Sequence, residues 1–188
     1  MGTKWNKKRE TKLIWIFCEG KSEKNYFKQL IAFEHVKRVN VRDFSSTDPL
    51  GILRDALSFK EKREYCKDEF VCVFDAENIT SDLNKEISSL SKKYKIKLVK
   101  SYPCFEYWIL CHFEQSNYSS TSKEVISRVK KVFPSYKKGH PDLYSFLRGK
   151  VDLAMKNSKE NLKNAKKKRI SSYSYTEIPS LIKYLRQL

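Results

Sequence analysis

Three acids in this chain stand where apolar runs end, and those places suggest phosphate chemistry. In "LIWIFCEGKSEKNYF" (residues 13–27), an apolar run closes on Glu19 and a glycine. In "FVCVFDAEN" (residues 70–78), a second run closes on Asp75 and Glu77. Open α/β sheets bind ligands beyond the carboxyl ends of their strands. If both runs are parallel strands, the three carboxylates converge. The alternation of an extended chain would then put Asp75 and Glu77 on one side. Clustered carboxylates repel, and their pKa values rise unless a cation sits among them. Hard oxygen ligands favour Mg²⁺ or Mn²⁺. Such an ion bridges acids to a phosphate and steadies the leaving oxygen. Glu19 is then the candidate base or metal-linked proton acceptor, and Asp75 and Glu77 hold the ion.

Further candidates lie near these three. Glu23 is four residues past Glu19, one turn into an expected helix, where it can serve as a further ligand or only as a favourable first-turn acid. Lys21 can neutralise a phosphate, and Asn78 can support the turn after Glu77. Glu106 stands in the apolar stretch "CFEYWIL". A charge buried there is costly without a partner, which points to a pocket position. His112 is six residues on, about 240° around a helix, so one face does not bring both into one pocket. A core histidine bonded to backbone is the competing reading for His112.

The elements that would position these residues alternate. Residues 13–18 form a continuous apolar run, as expected of a strand covered on both faces. Residues 22–33 have helical spacing, with Ser22 as expected N-cap. A strand is expected over 39–44. A helix opens at Asp48-Pro49 and runs to about Lys67, with Tyr65 on its apolar face. Residues 70–74 form the clearest strand. A helix capped by Thr80 or Ser81 runs to about Tyr94, a strand covers 96–101, and an apolar helix covers 105–113. Four strand–helix alternations imply a three-layer α/β domain with a mostly parallel sheet. Residues 1–118 are expected to form this core, with 119–188 a basic helical extension packed on it. That extension holds a short helix at 125–133, a mostly helical stretch at 144–168, a loop through "ISSYSYTEIP" and a last helix at 180–188.

The chain has 188 residues, 39 Lys plus Arg against 22 Asp plus Glu, and a net charge of +17. That excess points to a polyanionic partner, first of all nucleic acid. Lys137, Lys138 and the run Lys166, Lys167, Lys168 and Arg169 are the candidates for tracking a phosphate backbone. The five cysteines, Cys18, Cys66, Cys72, Cys104 and Cys111, contain no CxxC pair, which gives no support to structural zinc. Their odd number, with no secretory signal, fits a reducing cytoplasm. No apolar run is long enough for a transmembrane span, so no membrane is expected. The absence of GxxxxGK[ST] excludes a P-loop NTPase.

The acidic motifs resemble the Toprim fold of topoisomerases, primases and several nucleases. "CEG" places Glu19 at that family's Glu-Gly position. "FDAEN" places Asp75 and Glu77 at its acidic pair, with Glu77 standing where the family has Asp. A closer resemblance is to the RloB-like proteins of bacterial restriction and phage abortive-infection loci. Their three segments are matched in order by "EGKSEKNYF", "VFDAEN" and "PCFEYWILCHF". The resemblance implies a Toprim-like core and Mg²⁺- or Mn²⁺-dependent cleavage of phosphodiesters in DNA or RNA, tRNA included, in anti-phage defence beside an ATPase partner. It also brings Glu106 and His112 among the site residues. The alternative is a non-catalytic module of the same fold that binds nucleic acid or the ATPase, and a nucleotide-handling enzyme is a third reading.

Overall fold

The structure is a computed structural model that describes residues 12–43, 48–62, 67–115, 121–169 and 173–188. The basic amino terminus, Phe44, Tyr65 and Cys66 lie outside the described residues. Among the described residues, five strands form one sheet: β1 (Ile14–Cys18), β2 (Val39–Asp43), β3 (Glu69–Asp75), β4 (Ile96–Tyr102) and β5 (Tyr175–Thr176). Their order is β2-β1-β3-β4-β5, parallel throughout except for β5, which runs antiparallel to β4.

Among the described residues, eight α-helices flank the sheet. Helices α2 (Pro49–Glu61) and α3 (Ser81–Tyr94) cover one face. There Trp15, Phe17, Phe70, Cys72 and Phe74 pack with Ile52, Leu53, Ala56 and Ile87. The other face carries α1 (Lys21–Phe33), α4 (Glu106–Cys111), α5 (Ser122–Val132), α6 (Leu143–Leu147), α7 (Val151–Lys167) and α8 (Ile178–Leu185). Ile14, Ile16, Val71, Val73 and Val99 lie against this layer. Both faces of the central strands are covered, which is why the "IWIF" and "FVCVF" runs are apolar at every position rather than alternating. The result is the expected three-layer, mostly parallel α/β architecture.

The segment after residue 118 enters the same core. Val125, Val129, Leu143, Tyr144, Leu147, Val151, Ile178 and Ile182 share one buried cluster with β1, α1 and α4. Part of the loop expected at 170–179 is β5, too short for its two residues to show a period. The amino end of α1 also differs from expectation. Its N-cap is Gly20, with no side-chain cap bond, and Ser22 is buried inside the first turn. Asp48 and Thr80 do cap α2 and α3, accepting from Gly51 N at 2.9 Å and Leu83 N at 3.3 Å.

The order of connections fixes where a site can form. From β1 the chain goes outward to β2 through α1, on one face. It then crosses back through α2, on the opposite face, to β3 on the other side of β1. The connections therefore diverge beyond the carboxyl ends of β1 and β3, the crevice where open sheets hold their ligands.

Candidate active site

Glu19 and Asp75 occupy that crevice and are locked to one another. Glu19 N continues the ladder past the end of β1, donating to Val73 O at 3.1 Å. The Glu19 carboxylate then accepts from Asp75 N through Oε2 at 2.9 Å. Asp75 in turn accepts from Phe105 N through Oδ1 at 2.7 Å. Each acid thus holds the backbone that carries the next element, and the relay ends at the first turn of α4. There Glu106 is 2 % exposed and accepts from the Tyr136 hydroxyl at 2.8 Å. The Lys138 ammonium is 4.0 Å from the same carboxylate oxygen.

Glu23 is the fourth acid. It is 5 % exposed, in the first turn of α1, and lies under Gly20. A Cβ at residue 20 would be 2.6 Å from Glu23 Oε2. Gly20 has φ −126°, open to any residue, so the glycine is there for room and not for backbone freedom. Glu19, Glu23, Asp75 and Glu106 line one cleft of about 300 Å³ together with Lys21, Ser22, Lys138 and Gly139.

The wall opposite the sheet is the 136–141 loop, fastened to α1. Ser22 Oγ accepts from Gly139 N at 2.8 Å and lies 3.4 Å from the Tyr136 hydroxyl. Asn25 Nδ2 donates to Gly139 O at 2.9 Å, and Gln29 donates to Pro141 O. Gly139 has φ +75°, the left-handed region, and its close approach to Lys21 also favours the missing side chain.

Burial and crowding set the protonation of these acids. Asp75 is pushed up from 3.8 to about 9, first by burial and then by the charges of Glu23, Glu19 and Glu106. Burial raises Glu23 to about 7, with Glu106 and Glu19 adding to it. Glu19 is also raised by burial, against the pull of its bond from Asp75 N. Lys138 is raised, most of all by Glu106. A carboxyl held neutral this far above its usual range marks a position where a cation would be welcome.

The remaining candidates do not line this cleft. Glu77 is exposed, and its Oε1 accepts from Ser122 N at 2.9 Å. It lines an adjoining cleft of about 400 Å³ with Asp48, Asn78 and Ser122, a cleft that also reaches Glu19, Asp75 and Lys138. The alternation expected to carry Asp75 and Glu77 together stops because the extended chain stops: β3 ends at Asp75, and Glu77 is already in a turn. His112 is fully buried at the end of α4, with Nδ1 2.9 Å from Trp108 O, and burial lowers its pKa to about 4. It belongs to the core and not to the cleft. Lys166 and Lys167 at the end of α7 and Lys168 and Arg169 just past it are exposed, outside the cleft lining. Ser22 was read only as a cap, and its bonds with Tyr136 and Gly139, which span more than a hundred residues, had no local signal.

The donor set suits a hard divalent cation: four carboxylates, no thiolate and no imidazole. Among the described residues, however, no three His, Cys, Asp or Glu side chains are gathered as a ready-made metal site. The acids surround a cleft instead of closing on a point, which leaves room for a phosphate to supply further oxygens.

The family model described as RloB-like protein matches residues 14–185, nearly the whole chain. No curated protein and no solved structure matches it. The chain belongs to the RloB-like family.

Proposed function

We propose that this RloB-like protein is a Mg²⁺- or Mn²⁺-dependent nuclease with a Toprim-like core. The observation that carries the reading is the convergence of Glu19, Glu23, Asp75 and Glu106, from four different elements, on one cleft at the switch point of the sheet. Raised carboxyl pKa values and a basic chain of +17 support it. Glu19 and Asp75 would hold the ion, with Glu23 and Glu106 beside them, and the ion would polarise the phosphate and steady its leaving oxygen. Glu19, fixed through one oxygen by Asp75 N, keeps the other for a proton or a cation. Asp75 keeps its Oδ2 in the same way. Lys138 offers a positive charge on the rim. A role in anti-phage defence beside an ATPase partner rests on the resemblance alone. Cys18, Cys72, Cys104 and Cys111 are free and buried, which supports a reducing cytoplasm. No helix among the described residues is long and apolar enough to cross a membrane.

The test is cleavage of tRNA, single-stranded DNA and duplex DNA with and without Mn²⁺, repeated with Glu19→Gln and Asp75→Asn. Cutting that needs Mn²⁺ and is lost in both variants is the expected result; full cutting by either variant refutes the mechanism. The lack of a ready-made three-ligand site among the described residues favours a second reading, a module that binds nucleic acid or an ATPase without cutting. Calorimetric titration with Mn²⁺ separates the two, since a chain that takes up no ion belongs to the second.

A further inference from the structure

An open feature beside the acids is basic. A groove of about 680 Å³ runs between α5 and residues 134–138, lined by Ile126, Lys130, Pro134, Ser135, Lys137 and Lys138. Lys138 also lines the acid cleft and the adjoining cleft at Glu77, so all three openings meet at this one side chain. Helix α5 runs along them. Ser122 borders the Glu77 cleft, and Ile126 and Lys130 border the groove. These three residues, spaced i, i+4 and i+8, form one stripe about 12 Å long. The helix is fixed at its start by a Thr121–Glu124 capping box and by the bond from Ser122 N to Glu77. The trough is therefore a built feature of the fold, positive along α5 and negative where it opens on the acids.

We infer that this trough is the binding track for a single strand of nucleic acid, whose phosphates pass Lys130 and Lys137 and reach the acid cleft at Lys138. The assignment rests on the nuclease reading for what happens in the cleft, but not for the binding itself. Three lysines on one groove supply the sequence-independent attraction for a phosphate backbone, and Ile126 and Pro134 offer an apolar wall for bases. The strand is single because the acids are recessed. Glu23 and Glu106 are buried, and a phosphate must enter the cleft to approach them. An unpaired backbone can bend inward; a backbone held against its partner strand cannot.

The test is fluorescence anisotropy of a labelled 12-nucleotide single strand and of the matching duplex, in EDTA, across a salt series. Wild type is expected to bind the single strand more tightly than the duplex. The double variant K130E/K137E is expected to weaken single-strand binding at least tenfold. It should also reduce the slope of log K against log salt by about 1.4, two phosphate contacts at ~0.7 each. The neutral pair K130Q/K137Q, which adds no repulsion, should show the same loss of slope. The control is K92E/K93E, exposed lysines in the last turn of α3, which leads into the amino end of β4 and so lies at the end of the parallel strands opposite the crevice. This pair should stay within about twofold of wild type. Equal losses in the two charge reversals, an unchanged slope in K130Q/K137Q, or tighter binding of the duplex would overturn the inference. Since EDTA removes any role for an ion, groove-dependent binding without cleavage would overturn the nuclease and leave the track standing. Cleavage indifferent to K130Q/K137Q would do the reverse.

Discussion

Helices α1 and α4 each begin at an acid of the cleft and continue into aromatic core, and the two halves of each helix treat burial in opposite ways. Glu23 and Glu106 are carboxyls taken out of water among other acids. Within two turns of them, Tyr26, Trp108 and His112 are neutral groups packed ring to ring. Trp108 and His112 centroids lie 4.7 Å apart, and Tyr26 stands edge-on to Phe27, Phe105 and Tyr144. Tyr26 Oη, Trp108 Nε1 and His112 Nε2 meet no hydrogen-bonding partner among the described residues, yet none of them carries a charge at neutral pH. Uncharged polar atoms cost little enough to bury that packing carries them. Crowded carboxyls do not, and a protein that retains four together does so against its own stability. The same two sequence segments therefore hold both the chemistry and the frame that aims it.

The largest expected effect breaks the two regions apart by activity. Asp75→Asn should lower cleavage by roughly a thousandfold, the loss that about 4 kcal/mol of transition-state stabilisation gives. His112→Gln should leave the cleavage per folded molecule within severalfold of wild type. Single-turnover rates on one oligonucleotide measure both. A thousandfold loss in His112→Gln would put the histidine back into the site.

The second effect is on stability and has the opposite assignment. Tyr26→Ala removes a fully buried ring and should cost about 3–5 kcal/mol in urea unfolding. Glu106→Gln keeps the shape and removes one of the like charges that face Asp75, so its stability should match or exceed wild type without divalent cations. Marked destabilisation by Glu106→Gln would mean that its bonds with Tyr136 and Lys138 outweigh the repulsion.

How much of this division could be read beforehand depended on range. Long apolar runs declared β1 and β3, and strand ends declared Glu19 and Asp75, because both signals lie within a few neighbouring residues. Glu106 stood out as a charge in an apolar stretch, and the helical angle between it and His112 already separated cleft from core. Glu77 was assigned by strand alternation, which expired one residue after Asp75. Ser22 was given the local role of a cap, and its actual partners, Gly139 and Tyr136, come from the other end of the chain. The left-handed Gly139 and the loop that delivers Lys138 have no periodic signature. Nothing local says that a lysine among 39 Lys plus Arg is the one facing the acids.

The third effect is a pH dependence whose sign differs between the regions. Asp75 and Glu23 have folded pKa values above their ordinary 3.8 and 4.5, so between those values and about 9 and 7 the folded chain holds protons that the unfolded chain has released. Their contribution is largest at low pH and is lost as pH rises. Stability in EDTA should fall from pH 6.5 to 8.5, by at most ~1.4 kcal/mol per unit for each group still titrating. His112 is lowered from 6.5 to about 4, so between those values it acts with the opposite sign and offsets one of the two acids. Urea midpoints should therefore fall across the whole of pH 4.5–8.5, and His112→Gln should steepen the fall on the acid side. Asp75→Asn should flatten the fall, most plainly above pH 7.5, and added Mn²⁺ should lift the alkaline side. An alkaline limb that persists unchanged in Asp75→Asn would assign it to other groups.

The smallest effect concerns Gly20, between Glu19 and the first-turn acid of α1, Glu23. A methyl group at residue 20 would sit 2.6 Å from Glu23 Oε2, the far end of a flexible side chain, while φ at −126° imposes no strain. Gly20→Ala should consequently change stability by less than about 1 kcal/mol, because the carboxylate can move aside. The activity should fall more than the stability, about tenfold or ~1.4 kcal/mol, because Glu23 cannot yield and still face Asp75 and Glu106. Pairing it with Glu23→Gln makes the cause visible. If Gly20→Ala acts only by displacing that carboxylate, the double variant should cut no more slowly than Glu23→Gln alone. Additive losses would instead assign the glycine to the approach of the substrate, and the need for space would belong to a phosphate rather than to the acid beneath it.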